Sequence, residues 1–274
     1  MRTKLDCIPC FQRQVVEAAK MATSDEEIQE NILRKVMKVL YNMDWGESQL
    51  VITKKLHEIV YKESNNYDPY REVKRKSNEE ALKLYPSMKK VVNISNDLYE
   101  KIRSAIKIAI AGNIIDFGPS INRDINKTLE YALSVDLDNK TFENFIEDLD
   151  KSDSILYFAD NCGEIVFDKL LIECLGKRVF FVVKKSPILN DATIADIHET
   201  SISKMDNVEV VEMEVGDNIN IINKINPSLI ISKGQGNYEA LSERGNIYFM
   251  LIAKCQVIAK DLGVPVGSIV FKKI

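Results

Sequence analysis

The stretch SILYFADNCGEIVFD, residues 154–168, decides the fold. It opens with an apolar run, Ile155 to Ala159, that reads as a strand. The run halts at Asp160, Asn161, Cys162 and Gly163, and the residues beyond, EIVFDKLLIECLG, read as a helix. A strand that stops at two polar residues and a glycine is either a simple turn or a way of delivering two oxygen donors to a crevice.

The same alternation continues toward the C-terminus. Short apolar runs rich in β-branched residues stand at RVFFVVK (178–184), VEVVEM (208–213), SLIISK (228–233), IYFMLIAK (247–254) and SIVF (268–271). Between them lie DATIADIHETS, DNINIINKIN and KCQVIAKDLG, each of helical character. Strands alternating with helices predict parallel βαβ units, and parallel sheets need helices on both faces. The expectation is an α/β domain over 106–274, a Rossmann-like, mostly parallel sheet flanked by helices.

Toward the N-terminus the character changes. Residues 1–105 are rich in Lys, Glu, Leu, Met and Ile, and their apolar residues recur at helical spacing, as at Phe11, Val15, Ala18 and Ala19. Ser24 followed by Glu27 has the pattern of a capping box opening a second helix. SQLVITKKLHEIVYKES, DPYREVKRKSNEEALKLYPSMKKVV and SNDLYEKIRSAIKIAIAG extend the series. This half is expected to be a helical domain.

Composition sets limits. The chain has 274 residues, 45% hydrophobic and 28% charged, with a net charge of -4, which gives no support to broad nucleic-acid binding. The basic run REVKRKS, 71–77, reads as a solvated helix face. No apolar run is long enough to span a bilayer, and the N-terminus lacks the apolar core of a signal peptide, so a cytoplasmic protein without membrane contact is expected. Five cysteines do not suggest a disulfide framework.

In an open parallel sheet, ligands bind beyond the carboxyl ends of the strands. Three runs end in polar sets: Asp160, Asn161 and Glu164; then Lys184, Asn190 and Asp191; then Lys233, Gly234, Gly236, Asn237 and Glu239. Carboxylates and carboxamides suit a hard divalent cation, and with two histidines in the chain a histidine-rich site is not expected. A cation beside a lysine suits a phosphate monoester, and the N–H groups of Gly234 to Gly236 offer a further hold on a phosphate oxygen. Asp, Asn and Gly are also the commonest residues of strand-to-helix turns, and Asp191 stands where it could cap the following helix.

These motifs, taken in order, carry a resemblance. CIPC (7–10), AGNIIDFG (111–118), DNCGE (160–164), PILNDAT (187–193), KGQGNYE (233–239) and AKC (253–255) together resemble the damage-control phosphatase family, in its short branch with a CxxC. The resemblance implies a metal-dependent phosphatase acting on phosphate monoesters of small metabolites, either sugar phosphates or damaged cofactor intermediates. It implies one divalent ion (Mn, Ni, Co or Mg) held by Asp160, Asn161 and Asp191. Lys233 matches the lysine expected at the substrate phosphate, and Asn113 and Asp116 match a motif lining the same cleft. Gly234, Glu164, Asn190 and Asn237 are expected around the substrate. Asp160 is either the nucleophile or an electrostatic anchor.

Two rival readings stay open. A Rossmann-like sheet also suits an S-adenosylmethionine-dependent methyltransferase, but that fold needs a glycine-rich loop after its first strand, where this chain has the single Gly163. A non-enzymatic metal- or nucleotide-binding module would bind without turnover. Cys7 and Cys10 read as packing, half a metal site or a redox pair, Cys174 and Cys255 as core, and His57 as a partly buried helix residue.

Overall fold

In the structure, a computed structural model, residues 1–113 and 125–274 are described. Three helices come first: α1 (Cys7–Ala22), α2 (Glu26–Tyr41) and α3 (Gln49–Ser64). Each carries its apolar residues four apart, Phe11 and Val15, Ile32 and Val36, Ile52, Leu56 and Val60, so each presents one stripe, and the stripes close on one another. The second helix is capped by Asp25 and not by Ser24: the Asp25 carboxylate accepts from the N–H groups of Glu27 at 2.9 Å and Ile28 at 3.3 Å. A carboxylate adjoining the first turn also meets the positive end of the helix dipole.

The helices α4 (Arg71–Val92) and α5 (Leu98–Gly112) belong to a different apolar cluster, that of the sheet. Residue 105, the expected domain boundary, lies inside α5, where Ile102, Ala105, Ile106 and Ala109 are buried with Ile155, Tyr157 and Met250. REVKRKS is only partly a solvated face. Arg75 is exposed and paired with Glu72 and Glu79, whereas Lys74 and Ser77 are buried.

After α6 (Ile125–Ser134) and α7 (Asn139–Lys151), strands and helices alternate. They run β1 (Ser154–Phe158), α8 (Glu164–Leu175), β2 (Arg178–Lys184), α9 (Ile194–Glu199), β3 (Val208–Met213), α10 (Asn218–Ile225), β4 (Leu229–Lys233), α11 (Gly234–Leu241), β5 (Tyr248–Ile252), α12 (Gln256–Leu262) and β6 (Ile269–Lys273). The described strands form one sheet in the order β3-β2-β1-β4-β5-β6. Every neighbouring pair is parallel except β5 and β6. This is the α/β, mostly parallel arrangement expected from the sequence.

Side chains alternate between the two faces of the sheet. Ile155 and Tyr157 pack with α4, α5 and α8, while Leu156 and Phe158 pack with α10, α11 and α12. Both faces are covered, which is why the strands read as unbroken apolar runs. Among the described residues no helix is long and apolar enough to cross a membrane.

Candidate active site

From β1 the chain moves outward to β2 and β3, then returns to β4 on the other side of β1. The carboxyl ends of β1 and β4 therefore flank the point where the strand order reverses, and a crevice opens there. Asp160 follows β1, and Gly234 follows β4.

The turn after β1 does not cap its helix with a side chain. Gly163 holds the N-cap of α8 in a left-handed conformation, φ 68°, without a side-chain capping bond. Asp191 is no cap either. Thr193 takes that place on α9, and its N–H donates to the Asp196 carboxylate at 2.9 Å. The polar residues of both turns are thus left over for another purpose.

Main-chain pairing brings the two turns together. Ala192 N–H donates to the Asp160 carbonyl at 2.8 Å, and Cys162 N–H to the Asn190 carbonyl at 2.8 Å. Between these bonds Asn161 and Asp191 stand opposite each other as an antiparallel bridge. They form a pair without hydrogen bonds of its own, the kind in which Cα atoms lie about 4.5 Å apart and side chains come closest.

Asp160, Asn161 and Asp191 line one cavity of 240 Å³ together with Asn113 and Asn190. Asp160 Oδ2 accepts from Asn113 Nδ2 at 2.8 Å and Asn161 Nδ2 at 2.8 Å. Asn161 Nδ2 also reaches Glu164 Oε2 at 3.2 Å, leaving the amide oxygen of Asn161 as the donor a cation could take. The Asn113 amide oxygen is buried and has no hydrogen-bond partner among the described residues. Burial first, then the neighbouring Glu164 and Asp191, push the Asp160 carboxyl up to about 7. Burial likewise raises Asp191 to about 6, against the pull of Lys184 and Lys74. Crowded carboxylates that resist ionisation are what a divalent cation would relieve. The donor set, two carboxylates and one carboxamide oxygen, fits a hard metal. Among the described residues no three His, Cys, Asp or Glu side chains are grouped as a metal site, Cys7 and Cys10 included.

Gly234 explains one glycine of KGQGNYE. Its φ is +77°, and a Cβ there would lie 2.0 Å from Asp160 Oδ2. The close approach of this backbone seats the Asp160 carboxylate.

Lys233 is not at the cavity. Its amine is fully buried and donates to Glu164 Oε1 at 2.5 Å, Asp168 Oδ1 at 2.6 Å and the Ala109 carbonyl at 3.0 Å. Burial by itself would lower the Lys233 pKa, but Asp168 and Glu164 raise it above the ordinary range. Tyr157 donates to the same Asp168 oxygen at 2.7 Å. Glu164 is buried with Lys233 and Asn113 and does not line the cavity. Asn237 is also set back, its amide donating to the carbonyls of Ala159 and Lys233, both at 2.9 Å, and so joining the ends of β1 and β4. Asp116 lies outside the described residues.

Among the described residues, the cations that line the cavity are Lys184 at the end of β2 and Lys254 just beyond β5. Lys254 sits inside AKC, but nothing in that short motif marks it as a site residue. Asp168 was equally unmarked, although an acid four residues after Glu164 in the apolar helix EIVFDKLLIECL is a sign of a buried partner. The far wall comes from the N-terminal helices: Cys7, Cys10, Phe11 and Gln14 on α1, Gln49, Leu50 and Thr53 on α3. Cys255 also lines the cavity; it and Cys174 are half-buried and pack against the edges of the two apolar clusters flanking the sheet, rather than inside them.

Comparison with known proteins agrees with this architecture. Residues 3–270 match the model of the damage-control phosphatase ARMT1-like domain. An uncharacterized protein of Methanocaldococcus jannaschii is 37% identical, over 100% of this chain and 96% of its own. A protein named damage-control phosphatase from Pyrococcus horikoshii is 31% identical over 98% of this chain and 97% of its own. The crystal structure of a DUF89 family protein from the same organism superimposes with a TM-score of 0.87 at 30% identity, covering 100% of this chain and 99% of that one. The chain belongs to the family of damage-control phosphatases with an ARMT1-like domain.

Proposed function

We propose that this protein is a divalent-metal-dependent phosphatase that hydrolyses phosphate monoesters of small metabolites. The observation that carries the reading is the bridge between Asn161 and Asp191, which sets their side chains beside Asp160 at the floor of a cavity bearing two lysines. Asp160, Asn161 and Asp191 would hold one cation, of the Mn, Ni, Co or Mg kind. When bound, such an ion supplies Lewis-acid polarisation of a phosphoryl oxygen and charge neutralisation.

The protein's own residues do the rest. Asn113 and Asn161 hold the Asp160 carboxylate by one oxygen, Oδ2. Lys254 and Lys184 offset the charge of the phosphate. Lys233 serves a different end from the one its motif suggests: it neutralises Glu164 and Asp168 behind the site. The helices α1 and α3 close the far side and limit contact with bulk water. A cavity of 240 Å³ admits a phosphate on a compact organic group, such as a sugar phosphate.

The test is hydrolysis of p-nitrophenyl phosphate by purified protein with Co²⁺, Ni²⁺, Mn²⁺ or Mg²⁺, with chelator and Asp160→Ala as controls. Turnover that requires metal and Asp160 supports the reading. Metal binding without turnover of this ester or of a panel of phosphorylated metabolites refutes it and leaves a binding module.

A further inference from the structure

Both turns of the candidate site are gripped from outside by one helix of the N-terminal half. Asn78, buried on α4, accepts at Oδ1 from the N–H of Gly163 at 2.7 Å, the residue that closes the Asp160–Asn161 turn. Its Nδ2 donates to Asp196 Oδ1 at 2.9 Å and Glu199 Oε2 at 2.8 Å, both on α9, the helix entered from the Asp191 turn. A carboxamide has one acceptor and two donor hydrogens, and here all are spent across two separate elements.

One turn earlier on α4, Lys74 reinforces the grip. Its amine meets Asp196 Oδ2 at 2.8 Å and Thr193 Oγ1 at 3.2 Å, with both charged side chains about as buried as the core. Asp196 also accepts from the hydroxyl of Thr193 at 2.7 Å, two residues beyond Asp191. An unbroken chain of bonds therefore runs Gly163, Asn78, Asp196, Thr193.

The residue type at 78 follows from this. A carboxylate there would face the carboxylates of Asp196 and Glu199. An apolar side chain would strand the buried N–H of Gly163, which adjoins the donor turn.

We propose that Asn78, with Lys74 seating Asp196, is a positioning residue that sets the orientation of the two donor turns and so the affinity for the metal. The inference rests on the metal reading given above. The main-chain bridge pairs the turns with each other, and Asn78 fixes that pair to the body of the protein.

The experiment is calorimetric titration of the full chain with Mn²⁺, without substrate, beside a thermal melt of each variant. Asn78→Ala and Asn78→Asp are expected to weaken Mn²⁺ binding by about 10–100-fold, the usual effect of removing a group that orients ligands. The exchanged set Asn78→Asp with Asp196→Asn and Glu199→Gln reverses both donor–acceptor pairs and keeps an acceptor for Gly163, so it recovers most of the loss. A residue that merely stabilises the fold would lower the melting temperature and leave Mn²⁺ affinity of the folded protein unchanged. Folded Asn78→Ala that binds Mn²⁺ like the wild type overturns the proposal, as does a folded exchanged set that fails to restore binding. Wild-type protein that binds no Mn²⁺ overturns the metal reading instead.

Discussion

Lys233 and Glu164 meet at 2.5 Å with neither side chain reached by solvent. Asp168 completes the cluster at 2.6 Å. With the Ala109 carbonyl as third acceptor, the ammonium has no proton left for a ligand. Lys233→Met would strand two carboxylates in the interior, at a stability loss of about 3–5 kcal/mol. Urea denaturation measures this, and adding Glu164→Gln and Asp168→Asn should return much of the loss. A Lys233→Met protein as stable as the wild type, with only KM raised, would place this lysine at the substrate after all.

Lys254 is exposed and lines the cavity, so its removal should leave the fold alone. Loss of one charge-assisted contact to phosphate is worth about 1.5–3 kcal/mol, or roughly 10–100-fold in kcat/KM. We expect Lys254→Gln to show that loss in steady-state kinetics at an unchanged melting temperature.

Gly234→Ala tests the close approach of backbone to carboxylate. The new methyl would overlap Asp160 Oδ2 and would sit at φ +77°. The left-handed conformation alone costs about 1–2 kcal/mol for a residue with a Cβ. The displaced carboxylate should abolish Mn²⁺ binding in a titration, whereas Gly245→Ala, also at positive φ but with open space around it, should bind normally.

His57 gives the pH dependence of stability. It is buried among α1–α3, neither ring nitrogen has a hydrogen-bond partner among the described residues, and burial lowers its pKa to about 4. Its folded pKa lies below the unfolded value of about 6.5, so protonation favours the unfolded chain. The stability is whole above pH 6.5 and declines as pH falls toward 4, by up to about 3 kcal/mol in all. His57→Leu should remove this part of the acid sensitivity in denaturation curves taken between pH 7 and pH 4.

Much of this was legible in the sequence. The strand positions follow from apolar runs, because a sheet covered on both faces buries its side chains on either side, as from Ile155 to Phe158. The DN and ND pairs stand out because they interrupt such runs. What composition and spacing conceal is which way a side chain turns once the chain is packed. Lys233 and Lys254 look equally suited to a phosphate, yet one points into the core toward Asp168 and the other stays at the mouth. Asn78 is silent in SNEE because its partners, Gly163 and Asp196, are 85 and 118 residues away. Ser24 lost the cap to Asp25 by a single position, a difference that periodicity does not resolve.

The bridge of Asn161 and Asp191 has a consequence for how the family can diversify. Peptide groups fasten those two turns to each other, so the side chains at 161 and 191 can change while the frame stays. On the proposed metal reading, histidine introduced at 161 would swap an oxygen for a nitrogen while the main-chain bridge stays, and would shift the preference from hard ions toward zinc or copper, at the loss of the Asn161 bond to Asp160.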